Sequence, residues 1–317
     1  MAAVELRPLG LGELLDRTFT LYRNHFWLFV GIMAIPATVS VPMGILFSPF
    51  GGLSAANSKP APSLVAGVVI LGILFGLLFV LVYAVGMGAA TFAVSESYLG
   101  LSATVRGSYR KVRGKLWRII GVVVMVMLRL LGMMILVGIA AGIVIGVIAA
   151  ASAVARPGPA VRGIMVIVFF LAYLLFIGFF TFWSLRYAIS VPAMMLENLG
   201  VNAAIRRSVQ LTRGRRWQIF VGFVLATILN YIGVIVFQGP FFAATLFSAR
   251  TGNVPGWLSF TSAVCGAVGG SLTGPLLMIV LVLYYYDTRI RKEAFDLQFM
   301  MSSLDRPGGA PGTVKPA

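Results

Sequence analysis

The sequence predicts an all-α integral membrane protein with six transmembrane helices in three tandem units. Each unit is an interfacial amphipathic helix followed by a helical pair. Three observations predict this fold. Of 317 residues, 59% are hydrophobic and 11% charged, with a mean hydropathy of +0.97. A soluble domain is about 25% charged. The apolar residues gather into six long stretches, and a 19-residue segment, basic in its second and third copies, recurs three times beside them. This composition excludes an ordinary soluble enzyme, a disordered chain and a disulfide scaffold. The single Cys265 allows no disulfide within the chain.

The first stretch runs from Trp27 to about Phe47 and is interrupted by Pro36 and Pro42. The second runs from Leu64 to about Ala93, the third from Trp117 to about Val154, and the fourth from Val161 to about Pro192. The fifth runs from Trp217 to about Phe247 and the sixth from Trp257 to about Tyr286. A crossing helix needs about 20 apolar residues for a hydrocarbon core of about 30 Å, so each suffices. The excess must tilt, bend or protrude. The third stretch, 38 residues long, has room to conceal a break. Pro36, Pro42 and Pro275 are expected to kink their helices. Glu5, Glu13, Asp16 and His25 leave no apolar core for a cleavable signal peptide, so none is expected.

The charges sort by side. The N-terminal segment, the loops near 96–118 and 197–216, and the C-terminus hold 19 of the 25 basic residues and all nine acids. The opposite loops hold Lys59, Arg156, Arg162 and Arg250, and Arg129 and Arg186 fall inside apolar stretches. The positive-inside rule puts the basic side in the cytoplasm, so both termini are expected there, in a cytoplasmic (inner) membrane. The net charge of +16 is therefore a topology signal. No nucleic-acid motif accompanies it, and no nucleic-acid partner is expected.

Residues 9–27, 99–117 and 199–217 align without a gap. The matches are Leu9/Leu99/Leu199, Gly10/Gly100/Gly200, Leu15/Val105/Ile205, Thr18/Ser108/Ser208, Arg23/Arg113/Arg213, Asn24/Gly114/Gly214 and Trp27/Trp117/Trp217. Gly12, Ser102 and Asn202 are acceptable N-caps. Asn24, Gly114 and Gly214 suit the left-handed turn past a helix end. Between them the segment predicts a helix of about 11 residues, with Leu101, Val105, Tyr109, Val112 and Leu116 as one apolar stripe in the second copy. That stripe is expected to face acyl chains, with Arg106, Arg110, Lys111 and Arg113 toward headgroups and water. Arg206, Arg207 and Arg213 are their counterparts in the third copy, and Trp27, Trp117 and Trp217 mark the headgroup level. The units are about 9–98, 99–198 and 199–298, within one polytopic domain over 1–305, and 306–317 reads as a disordered tail.

Two readings of the basic helices stand: topological anchoring, or binding of anionic lipid or a phosphorylated ligand. Arg129 lies about 18 Å beyond Trp117 along a helix, where a charge usually faces a bundle interior or water. Asn230 and Gln238 are its polar candidates on the fifth span. Either Arg129 snorkels and bonds carbonyls, or it lines a substrate or ion path. Arg186, nearer the end of its span, is expected to snorkel. Gly138, Gly142 and Gly146, and Gly266, Gly270 and Gly274, recur every four residues and predict close helix packing, within the chain or against a partner protein or second copy. Gly72 and Gly76 make a shorter stripe. One His, one Cys and no intramembrane carboxylate leave no catalytic set, metal site or cofactor to expect. Glu96 and Glu197 read as caps or partners of nearby arginines.

Three passages carry a family resemblance: RPLGLGELLDRTFTLYRNHFW at the start, LRYAISVPAMMLENLGVNAAIRRSVQLTRGRRWQIF in the middle and YYYDTRIRKEAFDLQ at the end. Over about residues 6–298 the chain resembles bacterial membrane proteins bearing the membrane domain of glycerophosphoryl diester phosphodiesterases. In fused members that domain accompanies a soluble barrel with acidic and His metal ligands, which these residues lack. The resemblance thus implies fold and membrane location rather than hydrolase activity. The expected function is non-enzymatic: a membrane-organising or accessory subunit contacting anionic lipid. The alternative is a transporter or channel using a polar path near Arg129.

Overall fold

A computed structural model describes residues 8–53, 62–155, 158–250 and 255–293. They are helical, with no strand among them. Three short helices, α1 (Leu11–Asn24), α4 (Val105–Arg113) and α8 (Val201–Thr212), precede the long helices α2 (Phe26–Leu53), α5 (Leu116–Ala155) and α9 (Arg216–Arg250). The long helices α3 (Pro62–Tyr98) and α10 (Gly256–Glu293) complete the first and third pairs. The partner of α5 is interrupted: α6 (Pro159–Ser184) leads into a 3-10 turn, Leu185–Tyr187, and then α7 (Ser190–Glu197). Six segments are long and apolar enough to cross a membrane: Phe26–Gly44, Val65–Tyr98, Leu116–Ile148, Gly163–Glu197, Arg216–Ser248 and Gly256–Glu293. The Gly/Pro-rich tail 306–317, Lys59 and Arg156 lie outside the described residues.

The break falls in the fourth stretch, and the third is one continuous helix. Pro192 explains the location. It lacks an N–H, so it belongs in the first turn of a helix, and α7 starts two residues before it.

The short helices differ in detail from the sequence expectation. Their N-caps are Gly10, Thr104 and Gly200, not Gly12, Ser102 and Asn202. The Thr104 hydroxyl accepts from the Gly107 N–H at 3.1 Å, which starts α4 later than its aligned copies. Of the three expected left-handed residues only Gly214 has positive φ, at +85°, whereas Gly114 is right-handed. Among the described residues, the other left-handed turns are at Gly100 and Asn198.

A larger correction concerns the apolar stripes. They face the protein's own helices and not acyl chains. Val112 and Ser108 of α4 are buried, as are Leu14 and Thr18 of α1 and Ala204, Ile205, Ser208 and Leu211 of α8. Leu101 falls outside α4 and is exposed. Burying these faces in the bundle removes them from lipid and water together.

The core lies at the end where the short helices dock. Phe29 and Ile32, Ala89 and Ala93, Ile119 and Val122, Met194 and Met195, Ile219, and Ile279 to Tyr286 pack there. Small residues on α3 permit it: a Cβ at Gly88 meets Met195 Cε at 2.7 Å. Beyond this end, toward the end of α5 and the start of α6, the helices present apolar surface, including Leu136, Ile143 and Val147 of α5 and Val166, Phe170 and Leu175 of α6.

Helix α2 continues through Pro36 because its freed carbonyl finds a donor. Pro36 has no N–H for the Ile32 carbonyl four residues back. The Tyr109 hydroxyl of α4 donates to that oxygen at 2.7 Å. Burial pushes the Tyr109 phenol up to about 12, so it stays a donor at physiological pH.

Candidate functional site

The basic residues divide into those engaged within the protein and those facing outward. The engaged set centres on the end of α10. Asp287, 3% exposed, accepts from the Leu9 backbone N–H at 2.8 Å and from Arg291 Nε at 2.9 Å, with Arg215 at 3.6 Å. Arg291 Nη2 donates to the Leu9 carbonyl at 2.6 Å. One carboxylate and one guanidinium thus clamp the segment leading into α1 onto the last long helix. Burying the carboxylate is tolerable only because each of its oxygens is partnered.

A second cluster joins α7, α8 and α10. Arg207 donates to Glu197 at 2.8 Å and to Glu293 at 2.7 Å. Tyr285 donates to Glu197 at 2.8 Å, and Arg289 to Glu293 at 3.2 Å. The hydrogen bond to Glu293, followed by that to Glu197, raises the pKa of Arg207 despite burial. Lys292 Nζ donates to the Gln210 and Arg213 carbonyls, both at 2.8 Å, covering the end of α8. Lys111 pairs with Glu96. Lys115 donates to the Met195 carbonyl at 3.1 Å, and burial, then Arg118, lowers its pKa. Tyr286 shares a hydrogen bond with Ser95 at 2.7 Å.

The outward set includes Arg106, Arg110 and Arg113 of α4, Arg206 of α8, and Arg213 just past it. All five are exposed and have no acidic partner among the described residues. Trp27, Trp117 and Trp217 begin the long helices at this end and are 81%, 85% and 67% exposed. Of the seven basic residues predicted for lipid contact, Arg207 and Lys111 are therefore engaged internally and five face outward.

Arg129 is exposed on α5, with its guanidinium 5.9 Å from the Tyr187 ring centroid. Asn230 is not its partner. Its amide donates to Thr273 of α10 at 2.9 Å, and Gln238 accepts from Ser262 at 2.9 Å. These polar groups fasten α9 to α10. The glycine stripes also resolve unequally. Gly138, Gly142 and Gly146 have open space at the Cβ position, as does Gly270, and Gly274 only approaches Met33. A Cβ at Gly266 would run into the Gln238 side chain, and one at Gly269, outside the predicted stripe, would meet Phe237 Cβ at 3.1 Å.

Two aligned glycines have a role that the sequence left unnoticed. Gly31 and Gly121 each lie four residues past an aligned tryptophan. A Cβ added at Gly31 would meet Val105 Cγ2 of α4 at 3.1 Å, and one at Gly121 would meet Val201 Cγ2 of α8 at 2.8 Å. In each case a long helix takes a valine from the first turn of the next short helix. Among the described residues, His, Cys, Asp and Glu form no group of three or more with metal-holding geometry.

The fold and its apolar surface define a multi-pass α-helical membrane protein. Within that class, residues 161–298 match the family model described as the membrane domain of glycerophosphoryl diester phosphodiesterase. The match covers nearly all of α6 and runs through α10. No curated protein and no solved structure matches the chain. Much of the closing motif, YYYDTRIRKE, consists of residues just described as fastening α10 to α1, α3, α7 and α8. The motif behaves as a structural latch.

Proposed function

We propose that the protein is a non-enzymatic membrane component that gathers anionic lipid at its basic end, with both termini cytoplasmic. The observation that carries this reading is the division of the cations. Acids and carbonyls engage Arg207, Arg289, Arg291, Lys111 and Lys292. Arg106, Arg110, Arg113, Arg206 and Arg213 remain outward, on the same end as the exposed Trp117 and Trp217. Three tandem units fit this reading. Thr18, Ser108 and Ser208, at one aligned position, are all buried, and the joints Gly31–Val105 and Gly121–Val201 are equivalent.

Near an anionic surface each cation contributes about 1 kcal/mol. The test is reconstitution into nanodiscs of mixed phosphatidylglycerol and phosphatidylcholine, with the bound lipids counted by native mass spectrometry. Replacing the five outward arginines by Gln is expected to reduce the preference for phosphatidylglycerol at least tenfold. An unchanged preference overturns the reading and leaves these charges to topology. A transport path is not the reading we adopt, because Arg129 lies on an exposed face and Asn230 and Gln238 are engaged between α9 and α10.

A further inference from the structure

The interruption between α6 and α7 has a cavity beside it. Its volume is about 320 Å³, and it lies among α3, α5, α7, α9 and α10. Tyr83, Val126, Tyr187, Phe223 and Leu281 contribute to an almost wholly apolar lining. Ser190 is the exception that matters. It lines the cavity and is 1% exposed, and its hydroxyl has no hydrogen-bond partner. A buried hydroxyl left unpaired is disfavoured, so its presence on this wall points to a polar group of a ligand.

Charge supplies the second observation. Two guanidinium groups lie against the ring of Tyr187, Arg129 at 5.9 Å and Arg186 at 5.3 Å from its centroid. Arg186 also covers Trp183 at 4.6 Å, and its Nε is buried with no acceptor. Neither arginine has an acidic partner among the described residues. Two cations, one with an orphaned buried donor, thus stand beside an apolar cavity that contains an orphaned hydroxyl.

Helix lengths compare the depths of the two arginines. From Arg129 to the end of α5 at Ala155 is about 39 Å, and from Pro159 to Arg186 about 40 Å, at 1.5 Å per residue. The two arginines therefore lie at one depth, measured along their helices from the ends at 155 and 159. Trp183 and Tyr187 beside them are the residue types of a membrane interface.

The geometry points to a binding site for one anionic phospholipid, its phosphate held by Arg129 and Arg186 and an acyl chain in the cavity beside Ser190. This rests on the membrane reading but uses none of the five outward arginines of α4 and α8. The shared chemistry is a phosphate monoanion, and only the lipid source also fills the cavity.

The test is photolabelling of the purified full-length protein with phosphatidylglycerol carrying a diazirine in its acyl chain, with phosphatidylcholine of the same chain as comparator. Labelled peptides are mapped by mass spectrometry. Phosphatidylglycerol is expected to label residues 122–130 and 184–191 at least fivefold more than phosphatidylcholine. The Arg129→Gln/Arg186→Gln variant is expected to lose that excess, and Ala188→Leu, which narrows the cavity, to lower labelling by both lipids. Glycerol 3-phosphate at millimolar concentration is expected not to compete. Equal labelling by the two lipids, an excess that survives the double substitution, or competition by glycerol 3-phosphate each overturns the site. The five-Gln variant of α4 and α8 is expected to keep this labelling, so the two proposals fail separately.

Discussion

The two ends of the bundle are built from the same kinds of helix but held by different physics. At the charged end, short helices bury their stripes against the long ones, and Asp287, Glu197 and Glu293 join segments far apart in sequence. At the loop end, α5 and α6 expose Ile143, Val147, Phe170 and Leu175, and the α5 glycines meet nothing. Lipid is as apolar as these side chains and gives helices little reason to bury them. The difference teaches that this protein places its specific contacts where water or headgroups compete. Where the solvent is hydrocarbon, it leaves its surface plain.

The largest expected effect tests the clamp. Asp287→Ala strips the Leu9 N–H and Arg291 of a buried acceptor and is expected to destabilise the protein by about 3 kcal/mol. Tryptophan fluorescence across an SDS titration reads this, and Asp287→Asn, which keeps one acceptor, is expected to lose less. Next is the joint at Gly121, where an added Cβ meets Val201 at 2.8 Å. Gly121→Ala is expected to lose about 1–3 kcal/mol by overpacking. Gly142→Ala, in open space, is expected to stay within about 0.5 kcal/mol in the same titration. If the two glycines behave alike, the contrast between the ends is wrong.

A smaller effect concerns the proline in α2. Tyr109→Phe removes the donor to the Ile32 carbonyl and is expected to destabilise by about 1 kcal/mol. In a Pro36→Ala background, where the helix supplies its own N–H, that loss is expected to shrink. A double-mutant cycle measures the coupling. Smallest of all, Arg106→Gln, Arg110→Gln or Arg113→Gln alone is expected to leave the unfolding midpoint unchanged within about 0.5 kcal/mol.

Much of the architecture was legible because hydropathy and self-similarity are properties of single segments. The six apolar stretches and the three short helices beside them follow from these. What the short helices face did not follow. An amphipathic stripe has the same period whether it meets acyl chains or protein, and only the packing of Val112 and Ser208 decides. The break at 185–189 left one trace, Pro192, which ended the fourth stretch without revealing that a new helix had begun.

The clusters were least legible. Asp287 and Leu9 are 278 residues apart, and charge counting assigns both signs to one side without pairing them. The closing motif carried the signal in its run of Tyr, Asp and Arg, and the structure supplies the partners. The glycine stripes misled for a related reason. Spacing by four makes a groove but does not say which positions are filled: Gly266 of the stripe and Gly269 outside it are, and Gly270 is not.

The central claim is that the cations have two separate jobs, and a paired measurement tests it most directly. One variant carries Gln at Arg106, Arg110, Arg113, Arg206 and Arg213, and the other carries Gln at Arg207 and Arg291. Both are measured for SDS unfolding and for preference between phosphatidylglycerol and phosphatidylcholine. The first is expected to lose lipid preference and keep its stability, and the second to lose stability and keep its preference. Equal losses of both properties in the two variants would contradict the division on which the account rests.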